Sequence, residues 1–280
     1  MEQRLKDLVN KTVFIIREAR ARYKNPAVLF SSGKDSTAML YLIKEALGKV
    51  DIPVIHIDTG QKFKGIYAFR DRMVKEMGLK LIVVKNNSEV KKGTSGENTD
   101  RFKCCSLLKT EPLKEVVRKN KFDAVIVSIR HDEHGVRGKE RYFSPRDREF
   151  RWKTSAIQKG TETGVVSLQD AEMSGWGVYA TYFGEDVDHV RVHPLLHWSE
   201  RDVWKYIEDR EVPVNPLYFA KGGKRYRSLG CIPCTLPVES DAADVHSIIK
   251  ELEVSSESER AGRSQDKQAL MEQLRALGYM

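Results

Sequence analysis

The sequence predicts an α/β fold: a parallel sheet with helices on both faces, followed by a C-terminal helical and loop extension. Two observations carry this. Short β-branched, apolar runs alternate with helix-length amphipathic stretches from the N-terminus to about residue 130, the pattern of a parallel sheet covered on both sides. The apolar run Ala27-Val28-Leu29-Phe30 also passes through the polar string Ser31-Ser32-Gly33-Lys34-Asp35-Ser36 directly into an amphipathic stretch ending near Leu47. That is a strand, a tight loop and a helix.

The elements follow in order. Residues 4–22 place Leu5, Leu8, Val9, Val13, Ile16 and Ala19 near helical spacing. After the loop helix, Pro53 to Asp58 reads as a strand, a helix runs through Tyr67 and Met73, and Leu79 to Val84 is a third strand. A helix from about Leu107 to Asn120 precedes a fourth strand, Asp123 to Ser128. Residues 131–190 are rich in Arg, Gly, Ser and Thr with little periodicity, so they read as long loops near the site or a lid. Trp198 to Arg210 returns to a helical pattern, with Ser199 as N-cap and Asp202 three residues on. Ser240 to Met280 reads as two charged helices around Arg260-Ala261-Gly262-Arg263. The expected division is 1–195 for the α/β domain and 196–280 for the extension.

The loop at Ser31 is a phosphate cradle by its chemistry. Unpaired N–H groups and the positive end of a helix dipole face outward at such a junction. Gly33 lets the backbone approach an anion, Lys34 supplies a point charge, and Ser31, Ser32 and Ser36 supply hydroxyls. Asp35 would repel phosphates unless a divalent cation sat between them, which points to magnesium. Asp35 and Lys34 are therefore the first catalytic candidates. This is not a Walker A loop, which ends Gly-Lys-Ser/Thr after a four-residue spacer.

Two more strand ends should meet it, because ligands of parallel sheets bind outside the carboxyl ends of the strands. The second strand ends in His56-Ile57-Asp58-Thr59-Gly60 and the fourth runs into Arg130-His131-Asp132-Glu133. From Arg130 to Arg141 both signs of charge crowd one loop. Arg130 and Arg137 suit the stabilisation of a tetrahedral oxyanion.

All four cysteines form two tight pairs, Cys104-Cys105 and Cys231-x-x-Cys234. Four thiolates suffice for tetrahedral zinc or an iron–sulfur cluster, and adjacent cysteines suit a four-iron cluster better than a compact zinc site. No disulfide density is implied, which fits a reducing compartment. The formal net charge of +8 favours anionic partners, nucleotides first and nucleic acid second. No apolar run approaches the roughly 18–20 residues that span a bilayer, so a cytoplasmic protein without membrane contact is expected, and a homo-oligomer is compatible with the sequence.

The loop resembles the PP-loop of ATP pyrophosphatases, whose usual form is Ser-Gly-Gly-x-Asp-Ser, with Ser32 here in place of the first glycine. The resemblance implies an adenine-nucleotide α-hydrolase-like fold, ATP in the loop with Mg2+, and cleavage between the α and β phosphates. In relatives that use adenylyl sulfate chemistry a His-x-Asp-Thr-Gly segment lines the nucleotide pocket, which implies ATP contacts from His56, Asp58, Thr59 and Gly60 as well as Arg130. Phe69-Arg70-Asp71, Arg130-x-Asp-Glu, Lys139-Glu140-Arg141, Phe143-Ser144-x-Arg146-Asp147, Val192-His193-Pro194-Leu195, Arg227 to Cys231, Val238-Glu239-Ser240 and Ser258-Glu259-Arg260-x-Gly-Arg263 are similar to the small subunit of bacterial sulfate adenylyltransferase. The wider group is that of the phosphoadenylylsulfate reductases.

The cysteine order looks like the [4Fe–4S] pattern of adenylylsulfate reductases, yet no cysteine follows Cys234 to act as the nucleophile of such a reductase. Sulfonucleotide reduction is thereby set aside. Adenylation combined with a sulfur-handling cluster describes thiolation, as in the ATP pyrophosphatases of DNA phosphorothioation, with a cysteine desulfurase and DNA as partners. That is the leading expectation. The alternative is a sulfate adenylyltransferase small subunit with a GTPase partner subunit, and a nucleotide-sensing module without turnover is a third.

Overall fold

The computed structural model describes residues 2–133, 137, 140–152, 183, 187–255, 259–260 and 273–274. Helix α1 (Gln3–Arg22) leads into strand β1 (Pro26–Leu29), and α2 (Lys34–Leu47) follows the loop. Then come β2 (Val54–Ile57), α3 (Lys64–Met77), β3 (Leu81–Val84), the short α4 (Asn87–Lys91), α5 (Arg101–Cys105), α6 (Glu111–Asn120) and β4 (Ala124–Ile126). A π-helical turn, Ser106–Thr110, joins α5 to α6. Strands β5 (Phe143–Arg146) and β6 (His189–Val192) complete the main sheet. The remainder is α7 (Glu200–Asp209), the two-residue strands β7 (Lys224–Arg225) and β8 (Val238–Glu239), and α8 (Val245–Val254).

The six-stranded sheet has the order β3-β2-β1-β4-β6-β5, parallel throughout except for β5, which lies antiparallel against β6 at the edge. The expected parallel α/β sheet is therefore present. Strands β5 and β6 correct the reading of 131–190 as loops alone. Strand β5 is four residues long and contains Pro145, and its alternation of Phe143, Ser144, Pro145 and Arg146 is too short to stand out from the polar segment around it. An edge strand tolerates the proline because it pairs on one side only. Most of 153–190, the second tail helix, Lys139 and Arg263 lie outside the described residues.

Alternation along the strands builds two apolar layers. Val28, Val54, Ala124, Ile126, Val190 and Val192 face α1, α2 and α7. Ala27, Ile55 and Val125 face Leu113, Val116 and Val117 of α6, with Phe122 and Phe150. Helix α7 begins as expected: Ser199 Oγ accepts the Asp202 N–H at 3.1 Å, and Asp202 Oδ2 accepts the Ser199 N–H at 2.8 Å. These reciprocal bonds satisfy donors that a helix start leaves open. Trp198, Trp204, Tyr206 and Ile207 belong to the same core as Leu40 and Ile43 of α2. Among the described residues no helix is long and apolar enough to cross a membrane.

Candidate active site

Chain order in the sheet reverses between β1 and β4, and a cleft outside the carboxyl ends of strands at such a switch is where parallel sheets bind ligands. A cleft of about 250 Å³ opens there. Ser31, Gly33, Asp35 and Ser36 form one wall, Ser128, Glu133 and Arg137 come from the segment after β4, and Tyr218 with Ser228 to Cys231 comes from the extension. The loop is braced from within. Ser36 Oγ accepts the Ser31 N–H at 3.2 Å and donates to Gly33 O at 3.0 Å, while Thr37 Oγ1 donates to the same carbonyl at 2.9 Å. Tyr218 Oη accepts the Lys34 N–H at 2.9 Å. A Cβ on Gly33 would stand 3.2 Å from Tyr218 Oη and 3.3 Å from Ser31 Oγ, so this position stays bare. Ser32 holds φ at 65°, a left-handed conformation that glycine adopts without cost. Its Oγ is buried and, among the described residues, has no hydrogen-bond partner.

The charged groups are stacked behind this loop. Lys34 and Arg130 are 1% and 0% exposed. Lys34 Nζ lies 3.1 Å from Asp35 and also pairs with Glu259. Arg130 pairs with Asp35 and Glu259, donates to Asp132 at 2.9 Å and stands 3.7 Å from Glu133. Burial alone would raise the Glu259 pKa, but Arg130 and Lys34 hold it well below the usual carboxylate range. Arg130 is likewise held cationic by Glu259 and Asp132 against its burial. The Glu259 carboxylate thus takes the place that the charge of Lys34 and Arg130 offers to an anion. Arg137 pairs with Glu133, which also accepts from Arg260 at 3.3 Å.

The second-strand motif divides. Thr59 lines the cleft. Asp58 accepts the Tyr67 hydroxyl at 2.7 Å and the Gly60 N–H at 2.8 Å, and Lys85 stands 3.4 Å away. Gly60 has φ 72° and a Cβ there would come 2.8 Å from Val90, so glycine is required by turn and space alike. His56 is wholly buried, with Nδ1 2.9 Å from Phe30 O and Nε2 3.1 Å from Lys62 Nζ. Burial and then Lys62 push its pKa down to about 3, so the ring is neutral. It lies beneath the cleft rather than on its wall. The structure thus brings the loop, Thr59 and Arg137 to the cavity, with Lys34 and Arg130 behind them. His56, Asp58 and Gly60 stand as supports.

The two cysteine pairs converge. All four line one small buried pocket with Thr59, Gln61, Gly96 and Lys109. Thr59 Oγ1 lies 3.2 Å from Cys231 Sγ, Lys109 Nζ is 3.8 Å from Cys105 Sγ, and a Cβ on Gly96 would come 3.2 Å from Cys234 Sγ. Thr59, Lys109 and Cys231 line this pocket and the main cleft alike. The π turn after α5 supplies Lys109, and such widened turns recur at functional sites. Burial and then the neighbouring cysteines raise the Cys104 pKa to about 11, so a metal would have to displace thiol protons. The donor set suits a thiolate-held metal. About 10 Å³ of space lies between the side chains as they stand. Among the described residues no group of three or more His, Cys, Asp or Glu is set at ligand spacing. Asp35 is compatible with Mg2+, which takes one or two carboxylates and completes its shell with water and phosphate oxygens.

Three site residues have no signal in the sequence that singles them out: Lys62, Tyr218 and Arg191. Each reaches the cleft through tertiary placement. Glu259 is visible only as part of the tail string Ser258-Glu259-Arg260.

A parallel sheet with a phosphate-type loop at its switch point and buried cations behind it defines an adenylyl-transferring enzyme of the PP-loop class. The chain belongs to the family of the phosphoadenosine phosphosulfate reductase domain, whose model matches residues 25–237. It is 36% identical over 307 residues to a sulfate adenylyltransferase subunit 2 of Marinomonas sp. (strain MWYL1), covering 98% of this chain and 97% of that one. It is 36% identical over 312 residues to the protein of the same name from Azotobacter vinelandii, with the same coverage. Among solved structures, the FMN adenylyltransferase of Candida glabrata in complex with FAD and inorganic pyrophosphate aligns at TM-score 0.58 and 17% identity, covering 94% of this chain and 89% of that one. The phosphoadenylyl-sulfate reductase of Candida auris aligns at TM-score 0.52 and 17% identity, covering 84% and 98%. At that identity the structures speak for the fold. The full-length relatives reverse the order of the two acceptors read from the sequence: they favour sulfate and lend no support to DNA phosphorothioation.

Proposed function

We propose that this chain transfers the adenylyl group of ATP to sulfate, releasing pyrophosphate, in the manner of a sulfate adenylyltransferase small subunit. One observation carries the reading: a braced phosphate-type loop faces a cleft at the β1/β4 switch, with Lys34 and Arg130 buried behind it and their charge held by carboxylates. The triphosphate would lie along Ser31 to Ser36 and draw its neutralisation from Lys34. Asp35 would reach Mg2+ bound by the phosphates, and Arg130 and Arg137 would stabilise the charge that builds on the α-phosphate during in-line attack. Glu259 must yield its contacts to the phosphates. The choice of sulfate rests on the full-length relatives, and the word subunit in their name supports a partner, which we take to be a GTPase subunit.

The test is pyrophosphate release by the whole chain with its partner subunit, with and without sulfate. Sulfate-dependent release in the wild type, lost by at least 100-fold in Lys34→Ala and in Asp35→Ala with far-UV circular dichroism unchanged, is the expected outcome. Release that ignores sulfate would remove the acceptor, and wild-type rates in both variants would remove the site.

A second reading, thiolation of an adenylated acceptor with a cysteine desulfurase as sulfur donor, is favoured by one observation: four thiols converge on a pocket that shares Cys231 with the cleft. Cys104, Cys105, Cys231 and Cys234 would hold the metal centre, a [4Fe–4S] cluster on this reading. Anaerobically purified protein should then contain iron and labile sulfide. Zinc alone, or no metal, would end it.

A further inference from the structure

Lys62 lies between β2 and α3 and lines the cleft together with Thr59, Cys231 and the phosphate loop. Its main chain is fixed from the extension: Lys62 forms an antiparallel bridge with Cys231, and the Ile232 N–H donates to Gln61 O at 2.8 Å. Its tip is fixed from beneath. Phe30 O can only accept, so the proton of the neutral His56 ring sits on Nδ1, 2.9 Å away, and Nε2 accepts from Lys62 Nζ at 3.1 Å. A neutral imidazole orients the ammonium and neutralises none of its charge. Phe30 directly precedes Ser31, so these bonds tie Lys62 to the base of the phosphate loop.

No carboxylate answers that charge at close range. Among the described residues Lys62 enters no ion pair, and of the three ammonium donors only the one given to His56 has an acceptor. The nearby Asp58 is engaged by the Tyr67 hydroxyl, the Gly60 N–H and Lys85. Burial pushes the Lys62 pKa down to about 8, and Lys109 opposes its charge further, while Cys231 and Asp58 offset a part. An ammonium so placed gains from an anion in the cleft. The phosphates of a nucleotide have cations of their own in Lys34 and Arg130, directly behind the loop. Lys62 follows the neighbouring strand, since β2 pairs with β1 and adjacent strands lie about 4.8 Å apart. Its charge is therefore set to the side of the loop, where an acceptor must approach the phosphorus to within about 3–3.5 Å.

We propose that Lys62, oriented by His56, is the acceptor contact of the cleft and binds a free tetrahedral dianion of the sulfate class. The inference rests on the adenylyl-transfer reading above and locates its second substrate. Held there, a sulfate oxygen attacks the α-phosphorus: the new P–O bond forms as the bond to the α,β-bridging oxygen breaks, and pyrophosphate leaves with that electron pair. No proton or electron is exchanged. Lys62 contacts the anion, and His56 is a positioning residue that acts through Lys62.

Two measurements on the whole chain test this. In pyrophosphate release with the partner subunit, Lys62→Met and Lys62→Gln should each raise the KM for sulfate at least tenfold while leaving the KM for ATP within about twofold. Lys62→Arg, which keeps the charge, should recover part of the loss. His56→Leu removes the acceptor and should raise the sulfate KM by a smaller factor, and His56→Gln, which restores an acceptor, should bring it back toward wild type. The two neutral variants of Lys62 guard against one that does not fold. An unchanged sulfate KM in a folded neutral variant overturns the subsite while leaving adenylyl transfer intact, and an equal rise in the KM for ATP overturns it by assigning Lys62 to the nucleotide. An unchanged sulfate KM in folded His56→Leu overturns the positioning role. If the wild type shows no sulfate-dependent turnover, the adenylyl-transfer reading fails, and calorimetric titration with sodium sulfate judges the subsite with an α,β-methylene analogue of ATP filling the loop. Sulfate binding that is lost in Lys62→Met supports the subsite even then. No binding, or equal binding in variant and wild type, overturns it.

Discussion

Ser32 shows how one residue can trade stability for ligand contact. Its left-handed φ costs an L-residue about 1 kcal/mol or more, and its buried hydroxyl, without a partner among the described residues, adds a desolvation penalty of roughly 1–3 kcal/mol. A phosphate oxygen in the loop would repay the second cost. Ser32→Gly should therefore stabilise the nucleotide-free chain by about 1 kcal/mol or more, a rise of roughly 2–4 °C per kcal/mol in Tm for a chain of this size. It should also raise the KM for ATP severalfold. A thermal melt and steady-state kinetics check both halves, and a lower Tm would show that the serine is not strained. The loop is the part of the site most legible in the sequence, because its residues are contiguous and their types state their chemistry. Tyr218 and Arg191 are not legible in the same way. Tyr218 meets Lys34 across 184 positions, and Arg191 sits in a strand whose neighbours read as apolar filling.

At the scale of elements, legibility follows length and regularity. Helix α1 spans 20 residues and α2 spans 14, each with a sustained apolar stripe, and both fall where spacing places them. The start of α7 is legible for a different reason: Ser199 and Asp202 at the right interval form a capping box whose geometry is local. Strand β5 escapes notice because its alternation covers four residues only and its place depends on an available edge on β6. The joint between α5 and α6 shows the same limit. A helix is expected from about Leu107, whereas the chain is helical from Arg101 through a π turn to Asn120. The π turn falls directly after Cys104 and Cys105, and its Lys109 reaches both the cysteine pocket and the cleft. An extra residue in one helical turn has no signature in hydrophobic spacing.

For the whole molecule, the division at residue 195 that composition suggests meets a core that crosses it. Trp198, Val203, Trp204, Tyr206 and Ile207 are each 2% exposed or less and share one cluster with Ile15 and Ile16 of α1 and Leu42 and Ile43 of α2. Polar ties run the same way. Trp198 Nε1 donates to Thr12 Oγ1 at 2.9 Å, Thr12 Oγ1 donates to Pro194 O at 3.0 Å, and Arg4 pairs with Asp202 at 3.0 Å. The extension also supplies Tyr218 and Glu259 to the loop, so the site is incomplete without it. A chain ending at Leu195 would expose the apolar faces of α1 and α2 that α7 covers, and should neither fold nor bind nucleotide. In the full chain, the urea midpoints followed by tryptophan emission and by far-UV circular dichroism should coincide, the mark of one cooperative unit. Trp204→Ala should lower both midpoints together, at a cost of about 3–5 kcal/mol. An emission transition that precedes the loss of circular dichroism, with the sheet surviving it, would show instead that the extension folds apart from the α/β layers and only rests upon them.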